Sequence, residues 1–359
     1  MNWPDTGASA AARQKFAAVL SEQPSQWSDA FASVPRHVFA PRFLRQDAHG
    51  EWQPVAWGED GYLEAVYCDE ALTTQLDEHG VPSSSSSQPS LMLTMLEALD
   101  VDDGQRVYEL GTGTGYNAAL LAHRLGDNNV TSVDVDTDLV EAAIRRLRQA
   151  GYQPTVTAGD GARGYPRNAP YDRIIATVGL HMIPPPLLDQ AADGAVIVAP
   201  LGYGIVRAIV TGRGHATGRF LPEPAYFMAR RVPGRPSQLD AAREQTPTDS
   251  TVPAEDVLGR LNFPLSIALP GFTSCSWRDD EGNLETVGLW TPDGSTAVAR
   301  TTGTVQQAGP QRVWDTVEEV AKTILGEPDR SEFVLTVSPA GQIVSYGPDG
   351  PSWTLPRTL

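Results

Sequence analysis

The sequence of 359 residues is poor in cysteine, in basic residues and in long apolar runs. Its two cysteines, Cys68 and Cys275, are too few for a disulfide framework or for a zinc site built from thiolates. No stretch approaches the roughly 20 consecutive apolar residues that a membrane-spanning helix needs. Lysine and arginine total 27 against 44 acidic residues, and the resulting formal charge of −17 argues against a nucleic-acid partner.

Export and metal-binding signals are also missing. The N-terminus, Met1-Asn-Trp-Pro-Asp5, has neither the basic start nor the apolar segment of an export signal. Together with the scarcity of cysteine, this predicts a location in the reducing cytoplasm. The histidines show no metal-ligand spacing such as HExxH, so we expect no metal site. The content of 41% hydrophobic residues is ordinary for a globular protein, and the chain is long enough for two domains.

The most informative stretch is Val107-Tyr-Glu-Leu-Gly-Thr-Gly-Thr-Gly-Tyr116. Its apolar start predicts a buried strand, its glycines predict a turn, and the apolar positions of residues 118–125 predict a helix. This order begins nucleotide-binding α/β domains. The dinucleotide fingerprint, however, needs a third glycine where this chain has Tyr116. Glu109, just before the first glycine, would repel a pyrophosphate, so the pattern favours a cationic or neutral ligand.

Two further acids follow predicted strands. Asp134 ends the apolar segment 130–134, at about the ~20-residue spacing from which a carboxylate reaches ribose hydroxyls. Asp160 follows the short strand predicted over 154–157, where its carboxylate is suited to accept a hydrogen bond from an adenine amine. A glycine turn alone is often plain strand–helix packing. Three acids at the carboxyl ends of successive strands instead indicate one binding site.

The pattern Glu-x-Gly-x-Gly-x-Gly resembles the first motif of class I S-adenosylmethionine methyltransferases. The resemblance implies a Rossmann-like α/β fold with a doubly wound, mostly parallel sheet. It also implies that S-adenosyl-L-methionine binds and that S-adenosyl-L-homocysteine is the product. The cofactor-binding residues that it implies are Glu109, Gly111, Thr112, Gly113, Thr114, Gly115, Tyr116, Asp134, Val135, Asp160 and Gly161.

Several motifs in one order make the resemblance more specific. They are Val34-Pro-Arg-His-Val-Phe39, Tyr67-x-Asp69, Ser87-Gln-Pro89, the glycine motif, Gly159-Asp-Gly161, Tyr171-Asp-Arg-Ile-Ile-Ala-Thr177, Ile183-Pro-Pro185 and Pro200-Leu-Gly202. Over roughly residues 10–225 the chain is similar to the protein-L-isoaspartate O-methyltransferase family. The resemblance implies a peptide or protein substrate bearing aspartate or isoaspartate, with Pro200, Leu201 and Gly202 against its backbone.

The run of five serines, Ser83–Ser87, permits two interpretations. By composition alone it predicts a flexible linker. Pro89, however, is well placed at the start of an apolar helix, which puts the serines at a helix N-terminus that favours anions. We expect Ser87 to hold the acceptor carboxylate as the catalytic residue, with Ser86 and Gln88 beside it. The alternative function of Ser87 is to cap the helix.

The predicted organisation has three parts. Residues 1–232 form the methyltransferase domain, with N-terminal helices and a lid over 1–100 and the core over 101–232. The polar, proline-bearing segment 233–255 is a predicted linker. Residues 256–359 are a predicted small α+β domain, a candidate for peptide recognition. Within these parts, residues 44–66 are expected to form a long loop, either a lid or a surface insertion, and the apolar run 263–269 is expected to form a strand.

The predicted reaction is methylation of a side-chain carboxylate. A carboxylate is already ionised at neutral pH, so no general base is required. The ester then closes to a succinimide when the next backbone amide attacks it. This chemistry serves either repair of isoaspartate or deliberate modification of an aspartate in a ribosomally made precursor peptide, including a cyclised one. The C-terminal extension and the serine run resemble those of bacterial family members that modify aspartate in ribosomally made peptides, and this resemblance implies modification rather than repair. A small-molecule carboxyl methyltransferase would carry the same cofactor motif, as would a cofactor-binding protein without methyl transfer.

Overall fold

The structure, a computed structural model, describes residues 3–20, 25–228 and 237–357. It divides into two compact units. The first comprises Met1–Val178, Pro184–Ala199 and Ile209–Arg213, and the second comprises Gly179–Ile183, Pro200–Ala208 and Gly214–Leu359. The predicted boundary near residue 232 therefore differs from the observed division, because the chain passes between the units several times.

As far as its residues are described, the N-terminal part of the first unit combines five helices with a four-stranded antiparallel sheet. The helices are α1 (Gly7–Leu20), α2 (Ser28–Ser33), α3 (Arg36–Phe39), α4 (Tyr62–Val66) and α5 (Pro89–Leu99). The strands are β1 (Arg42–Gln46), β2 (Trp52–Ala56), β3 (Leu72–Leu76) and β4 (Pro82–Ser86), in the order β2-β1-β3-β4. The predicted N-terminal helices are confirmed, as is the predicted apolar helix that starts at Pro89.

The prediction of a long loop over residues 44–66 was wrong. Strands β1 and β2 form an antiparallel hairpin there, and helix α4 follows it. The Asp47 carboxylate closes the hairpin turn by accepting from the backbone N–H groups of His49 and Glu51. The sequence concealed the hairpin because its glycines, tryptophans and acids match loop composition, whereas its stability comes from pairing between strands.

The prediction of a flexible serine linker was also wrong. Strand β4 pairs with β3, with Leu72 opposite Ser86 and Thr73 opposite Ser85. Ser84 and Ser86 are buried, and the Thr74 hydroxyl donates to Ser84 Oγ at 3.1 Å. Serine has no intrinsic preference for strands, so the partner strand and the burial impose this conformation.

The core of the first unit is a parallel sheet with its connecting helices. Its strands are β5 (Val107–Leu110), β6 (Val130–Asp134), β7 (Thr155–Ala158), β8 (Tyr171–Ala176) and β9 (Ala191–Leu201), and its helices are α6 (Tyr116–Leu125), α7 (Thr137–Gln149) and α8 (Pro185–Asp189). The strand order β7-β6-β5-β8-β9 confirms the doubly wound sheet. Because the order reverses at β5, ligands are expected at its carboxyl end, where the glycine turn lies.

The second unit contains two antiparallel arrangements of strands. One has the order β12 (Thr248–Asp249), β16 (Thr304–Ala308), β15 (Thr296–Arg300), β14 (Leu284–Trp290) and β13 (Thr273–Arg278). The other has the order β10 (Gly204–Gly212), β11 (His215–Pro224), β17 (Phe333–Ser338), β18 (Gly341–Tyr346) and β19 (Ser352–Leu355), and the end of β10 from Ile209 onward is counted with the first unit. The helices are α9 (Leu239–Arg243), α10 (Asn262–Ala268) and α11 (Val313–Thr323). None of the described helices of the chain combines the length and apolar character that a membrane crossing requires.

The apolar run 263–269, predicted as a strand, lies mostly in helix α10, so that prediction was wrong. Nearly every residue of α10 is buried, and a helix that is apolar on all sides shows no period to distinguish it from a buried strand. Phe263 packs edge-to-face against Phe220 and Phe333, with ring centroids 5.0 and 4.8 Å away.

Only part of the predicted linker 233–255 can be compared, because residues 233–236 lie outside the described ones. The described part is folded. Helix α9 buries Ala242, and strand β12 pairs with β16. The Gln306 side chain donates to the carbonyls of Arg243 and Gln245, both at 2.6 Å. Polar composition therefore did not indicate mobility here, because the polar groups of this segment find partners within the second unit.

Candidate active site

The glycine turn lies between β5 and α6 and is fitted closely to the neighbouring strand β8. Gly111 has a φ of +97°, and a Cβ atom there would lie 2.7 Å from Thr177 Oγ1 and 2.9 Å from Val178 Cγ1. The Thr177 hydroxyl donates to the Gly111 carbonyl at 2.6 Å. No residue with a side chain fits this position, so the turn keeps its backbone at the sheet edge.

Asp134, at the carboxyl end of β6, is joined directly to this turn. Its Oδ2 accepts from the Gly113 backbone N–H at 2.8 Å, and its Oδ1 accepts from the Asp136 N–H at 3.1 Å. Each carboxylate oxygen can accept more than one hydrogen bond, so both retain acceptor capacity. The structure thus brings two of the predicted cofactor-binding residues together, and Val135, 61% exposed, follows them at the surface.

Glu109, in contrast, is fully buried beneath the turn. One of its oxygens accepts from Asn117 Nδ2 at 2.7 Å, and the other accepts from the Ser132 hydroxyl, which also lies 2.6 Å from Thr112 Oγ1. Burial raises the pKa of Glu109 to about 7, although both hydrogen bonds lower it. Glu109 therefore ties β5 to α6 and β6 and places a titratable negative charge below the glycine turn.

The third predicted acid, Asp160, lies after β7 and is exposed. Its Oδ1 accepts from the Ala162 N–H at 3.0 Å. The carbonyl of Gly161 accepts from the buried Tyr108 hydroxyl at 2.7 Å, which fixes this loop to β5. The remaining predicted residues of the motif, Thr112, Thr114 and Tyr116, are buried beside Gly115 and shape the turn and the start of α6.

The serine strand lies next to the glycine turn. The carbonyl oxygen of Ser85 is 3.5 Å from the position that a Cβ atom would take at Gly113. Ser86 is buried, and its hydroxyl finds no hydrogen-bond partner among the described residues. The half-buried Ser87 follows at the end of β4. Ser86, predicted to bind substrate, and Ser87, predicted as the catalytic residue, thus directly follow the serine whose carbonyl lies beside the glycine turn.

The helix-capping alternative for Ser87 is not observed. Gln88 is the residue that precedes α5, and its side chain does not cap the helix. The Ser90 N–H instead donates to Asp69 Oδ1 at 2.8 Å, while Gln88 Nε2 donates to Asp69 Oδ2 at 3.2 Å. The Asp69 carboxylate therefore accepts a hydrogen bond from the first turn of α5, and the Ser87 hydroxyl does not cap this helix.

Arg36 holds the chain around Ser87 through hydrogen bonds to backbone carbonyls. Its guanidinium is fully buried and donates to the carbonyls of Val66, Cys68 and Glu70 at 3.0, 2.7 and 2.8 Å. It also donates to the Ser87 carbonyl at 3.3 Å. Burial lowers the pKa of Arg36. One side chain from α3 thus positions both the segment that carries Asp69 and the end of the serine strand.

Pro200, Leu201 and Gly202 belong to the second unit. Gly202 has a φ of +57°, and a Cβ atom there would lie 2.3 Å from Ser266 Oγ in α10. The Tyr203 N–H donates to the same hydroxyl at 2.9 Å, and the Leu180 N–H donates to the Pro200 carbonyl. These contacts hold the predicted peptide-contacting turn against the C-terminal part of the chain.

Four important residues were not among the predicted site residues: Arg36, Asp69, Asn117 and Ser132. Arg36 and Asp69 occur in motifs that carried the family resemblance. Ser132 places a hydroxyl inside an otherwise apolar strand, and Asn117 places an amide near the apolar start of a helix. A buried polar group needs a hydrogen-bond partner. Polar residues at otherwise apolar positions are therefore the signal by which Ser132 and Asn117 could have been recognised as partners of Glu109. Among the described residues, no cluster of three metal-ligating side chains occurs.

The donor and acceptor set at this edge fits S-adenosylmethionine. Asp134 and Asp160 offer carboxylates for hydroxyl and amine groups, and the exposed Val135 offers apolar surface for an aromatic base. Gly113 is half-buried and carries no side chain, and Glu109 contributes negative charge that favours a cationic ligand. These residues agree with the cofactor that the sequence motif implies.

Comparisons with known proteins point the same way. A sequence profile described as Protein-L-isoaspartate(D-aspartate) O-methyltransferase matches residues 18–216. The chain is 36% identical over 176 residues to a protein-L-isoaspartate O-methyltransferase of Thermococcus sibiricus, covering 48% of this chain and 68% of that one. It is 32% identical over 203 residues to the protein of the same name from Ignicoccus hospitalis, covering 54% and 84%.

The fold has a counterpart among solved structures. A chain named protein-L-isoaspartate O-methyltransferase matches with a TM-score of 0.56 at 21% identity, covering 93% of this chain and 99% of that chain. At this identity the likeness concerns the fold alone. Because the match extends well beyond residue 216, the C-terminal extension is not peculiar to the present chain.

Proposed function

Because the chain belongs to the protein-L-isoaspartate(D-aspartate) O-methyltransferase family, we propose that it methylates the side-chain carboxylate of an isoaspartyl residue in a polypeptide. The chain is an S-adenosylmethionine-dependent O-methyltransferase. The observation that carries the proposal is the position of the serine strand, whose Ser85 carbonyl approaches Gly113 in the turn that is joined to Asp134. Candidate groups for the acceptor and for the cofactor thus lie side by side.

The residues at the sheet edge are proposed to hold the cofactor. Asp134 accepts from ribose hydroxyls while its bond to Gly113 keeps the carboxylate in place. Asp160 accepts from the adenine amine, and Val135 packs against the base. Glu109 acts from below the turn, because its full burial excludes direct contact with a ligand at the surface. Its negative charge stabilises a positively charged ligand above it.

When bound, S-adenosylmethionine would supply a methyl group on a positively charged sulfur, and an ionised carboxylate can accept that methyl without a general base while the thioether S-adenosylhomocysteine leaves. The protein has to align the acceptor oxygen and exclude water, and proximity of this kind contributes up to about 7–11 kcal/mol. Ser87 is proposed to donate a hydrogen bond to the acceptor carboxylate. The unpartnered, buried hydroxyl of Ser86 and the amide of Gln88 are proposed to assist it.

The second unit is proposed to contribute recognition of the polypeptide. Its residues Pro200–Gly202 form a turn that α10 holds through Ser266. A rigid turn of this kind offers backbone groups to an extended peptide at little cost in conformational entropy. The product ester has a better leaving group than the acid, so attack by the next backbone amide nitrogen expels methanol and closes a succinimide.

Modification of a normal aspartate in a ribosomally made precursor peptide is the second candidate function. The sequence favoured it because of the C-terminal extension and the serine run. The serine run is an ordered strand, and a solved chain that bears the family name matches this chain over 93% of its length. Both features are therefore compatible with an isoaspartyl acceptor, and the names of the relatives favour that acceptor.

A comparison of three acceptor peptides distinguishes the two candidate functions. The enzyme is incubated with methyl-labelled S-adenosylmethionine and an isoaspartyl peptide, its aspartyl twin, or a cyclised peptide containing aspartate. Selective labelling of the isoaspartyl peptide is the expected result. Labelling of an aspartyl peptide with the isoaspartyl twin left unlabelled would establish precursor modification instead, and labelling of none would contradict both functions.

A further inference from the structure

A groove on the first unit, away from the glycine turn, carries two arginines. It has a volume of about 380 Å³ and is lined by Arg42, Phe43 and Leu44 of β1, Thr74, Gln75 and Leu76 of β3, and Arg146 of α7. This volume lies at the lower end of the range of small ligand sites, which is about 300–1,000 Å³. We call it the arginine groove. None of its residues is part of the proposed active site.

Arg146 provides the main evidence that the arginine groove binds an anion. It is half-buried, and burial, together with the neighbouring charge of Arg145, lowers its pKa. Among the described residues, no carboxylate lies within salt-bridge distance of Arg146 or of Arg42. A guanidinium that loses solvent without gaining an opposite charge is costly to the fold. A bound anion would offset that cost.

Gln75 adds a third donor to the groove. The Ser83 hydroxyl donates to Gln75 Oε1 at 3.1 Å, which leaves the amide nitrogen as a donor. The pairing of β3 with β4 shifts register on both sides of Gln75, and irregularities of this kind change the direction of side chains at functional places. Two guanidinium groups and an amide therefore line one small groove whose charged groups are all cationic.

The arginine groove is separate from the proposed cofactor site. Helix α7 begins at Thr137, just after Asp134, and Arg146 lies nine residues further along it. At the rise of an α-helix this corresponds to about 13 Å along the axis. An anion in the groove would therefore not lie against the glycine turn.

We propose that the arginine groove binds a carboxylate of an acidic segment in the polypeptide substrate. The protein carries a formal charge of −17 overall, but the charged groups of the groove are two arginines, so the groove offers an acidic segment a local site of opposite charge. Leu44 and Leu76, both half-buried in its walls, suit the alkyl part of an acidic side chain. The identity of the bound segment rests on the proposed function, because that function makes a polypeptide the substrate.

Peptide binding to the full-length protein tests the inference. A fluorescent, glutamate-rich peptide with blocked ends is titrated in an anisotropy assay, next to its glutamine counterpart and a neutral peptide with a free C-terminus. The double variant Arg42→Gln/Arg146→Gln is compared with Arg145→Gln, whose parent residue is exposed and pairs with Glu141 outside the groove. The last peptide distinguishes a chain terminus from an acidic side chain as the source of the carboxylate.

We expect the glutamate-rich peptide to bind more tightly than its glutamine counterpart, with an affinity that falls at high salt. The double variant should lose about tenfold in affinity, the scale of one partly buried and one exposed charge pair. Arg145→Gln should stay within about twofold of the wild type. An equal loss of affinity in the double variant and in Arg145→Gln would show a general charge effect and overturn the inference. Equal affinity of the wild type for the glutamate and glutamine peptides would also overturn it.

A second measurement keeps this inference distinct from the proposed function. S-adenosylmethionine affinity and methyl transfer to a short neutral isoaspartyl peptide are measured for the same proteins. Both should be unchanged in the double variant, whereas KM should rise for an isoaspartyl peptide that carries an acidic tail. If no protein methylates either peptide but the groove still binds the glutamate-rich probe, the proposed function fails and carboxylate binding stands.

Discussion

The Gly113 backbone N–H donates to Asp134 Oδ2 at 2.8 Å, so the glycine turn after β5 is joined directly to the acid that ends β6. The second oxygen of the same carboxylate accepts from the Asp136 N–H at 3.1 Å. The carboxylate is therefore fixed against the glycine turn that follows β5, the strand at which the order of the parallel sheet reverses. A fixed acceptor at this point is what a ribose-binding site requires.

The first prediction concerns Asp134. Asp134→Ala should weaken S-adenosylmethionine binding by about 1–3 kcal/mol, because ligand hydroxyls and the Gly113 N–H lose their acceptor. Isothermal titration calorimetry measures this change. Asp138→Ala removes an exposed acid from the first turn of α7 and should leave the affinity unchanged. If the two variants bind equally well, Asp134 does not contact the cofactor.

The second prediction concerns the buried carboxyl of Glu109. Its pKa is raised from 4.5 to about 7, so between these values the native state keeps a proton that the unfolded state has lost. The free energy of unfolding should therefore fall as the pH rises through this window, by roughly 3 kcal/mol in total, and level off above pH 7. Glu109→Gln lacks this titration.

Urea unfolding of the wild type and Glu109→Gln at a series of pH values checks the second prediction. The difference in unfolding free energy should move in favour of the variant between about pH 5 and pH 8. Parallel profiles would mean that Glu109 does not titrate in that range. A positively charged ligand favours the ionised form, so cofactor affinity of the wild type should also rise with pH across the same window.

The third prediction concerns Arg36. Arg36→Met removes the buried guanidinium that donates to four backbone carbonyls, including that of Ser87. The loss should destabilise the protein by about 3 kcal/mol or more, because the carbonyls remain without partners. Arg45→Gln breaks an exposed pair with Glu70 and should cost less than about 1 kcal/mol. Similar melting temperatures for both variants would contradict the structural importance of Arg36.

The fourth prediction separates Ser87 from the rest of its strand. Ser87→Ala should lower kcat/KM for an isoaspartyl peptide roughly tenfold to hundredfold, since acceptor alignment is lost. Cofactor affinity should not change. Ser85→Ala preserves the backbone carbonyl that approaches Gly113 and should retain activity. If Ser87→Ala turns over at the wild-type rate, the acceptor carboxylate is held by other groups.

The sequence was most informative where local pattern and tertiary structure agree. The strand and glycine turn of residues 107–116 and the acid at Asp134 were predicted at their observed places. Gly111 explains why, because only glycine fits against Thr177 and Val178. A requirement imposed by the backbone leaves a visible trace in the sequence.

The sequence was least informative where partners distant in the chain decide the outcome. The serines of β4 form a strand because β3 pairs with them, and α10 is apolar on every side. The burial of Glu109 depends on Ser132, 23 residues away, and on Asn117. Neither of these contacts of Glu109 leaves a periodic pattern in the sequence. The composition of residues 44–66 likewise gave no sign that its two halves form a hairpin.

Mass spectrometry of an isoaspartyl peptide after reaction with S-adenosylmethionine tests the central claim most directly. The reaction is run briefly in mildly acidic buffer, so that the ester survives, and fragmentation then locates the added methyl group. We predict one methyl group on the isoaspartyl side-chain carboxylate, converting to a succinimide when the peptide is moved to neutral pH. An unmodified peptide, or a methyl group on any nitrogen or hydroxyl, with an enzyme that demonstrably binds the cofactor, would contradict the account.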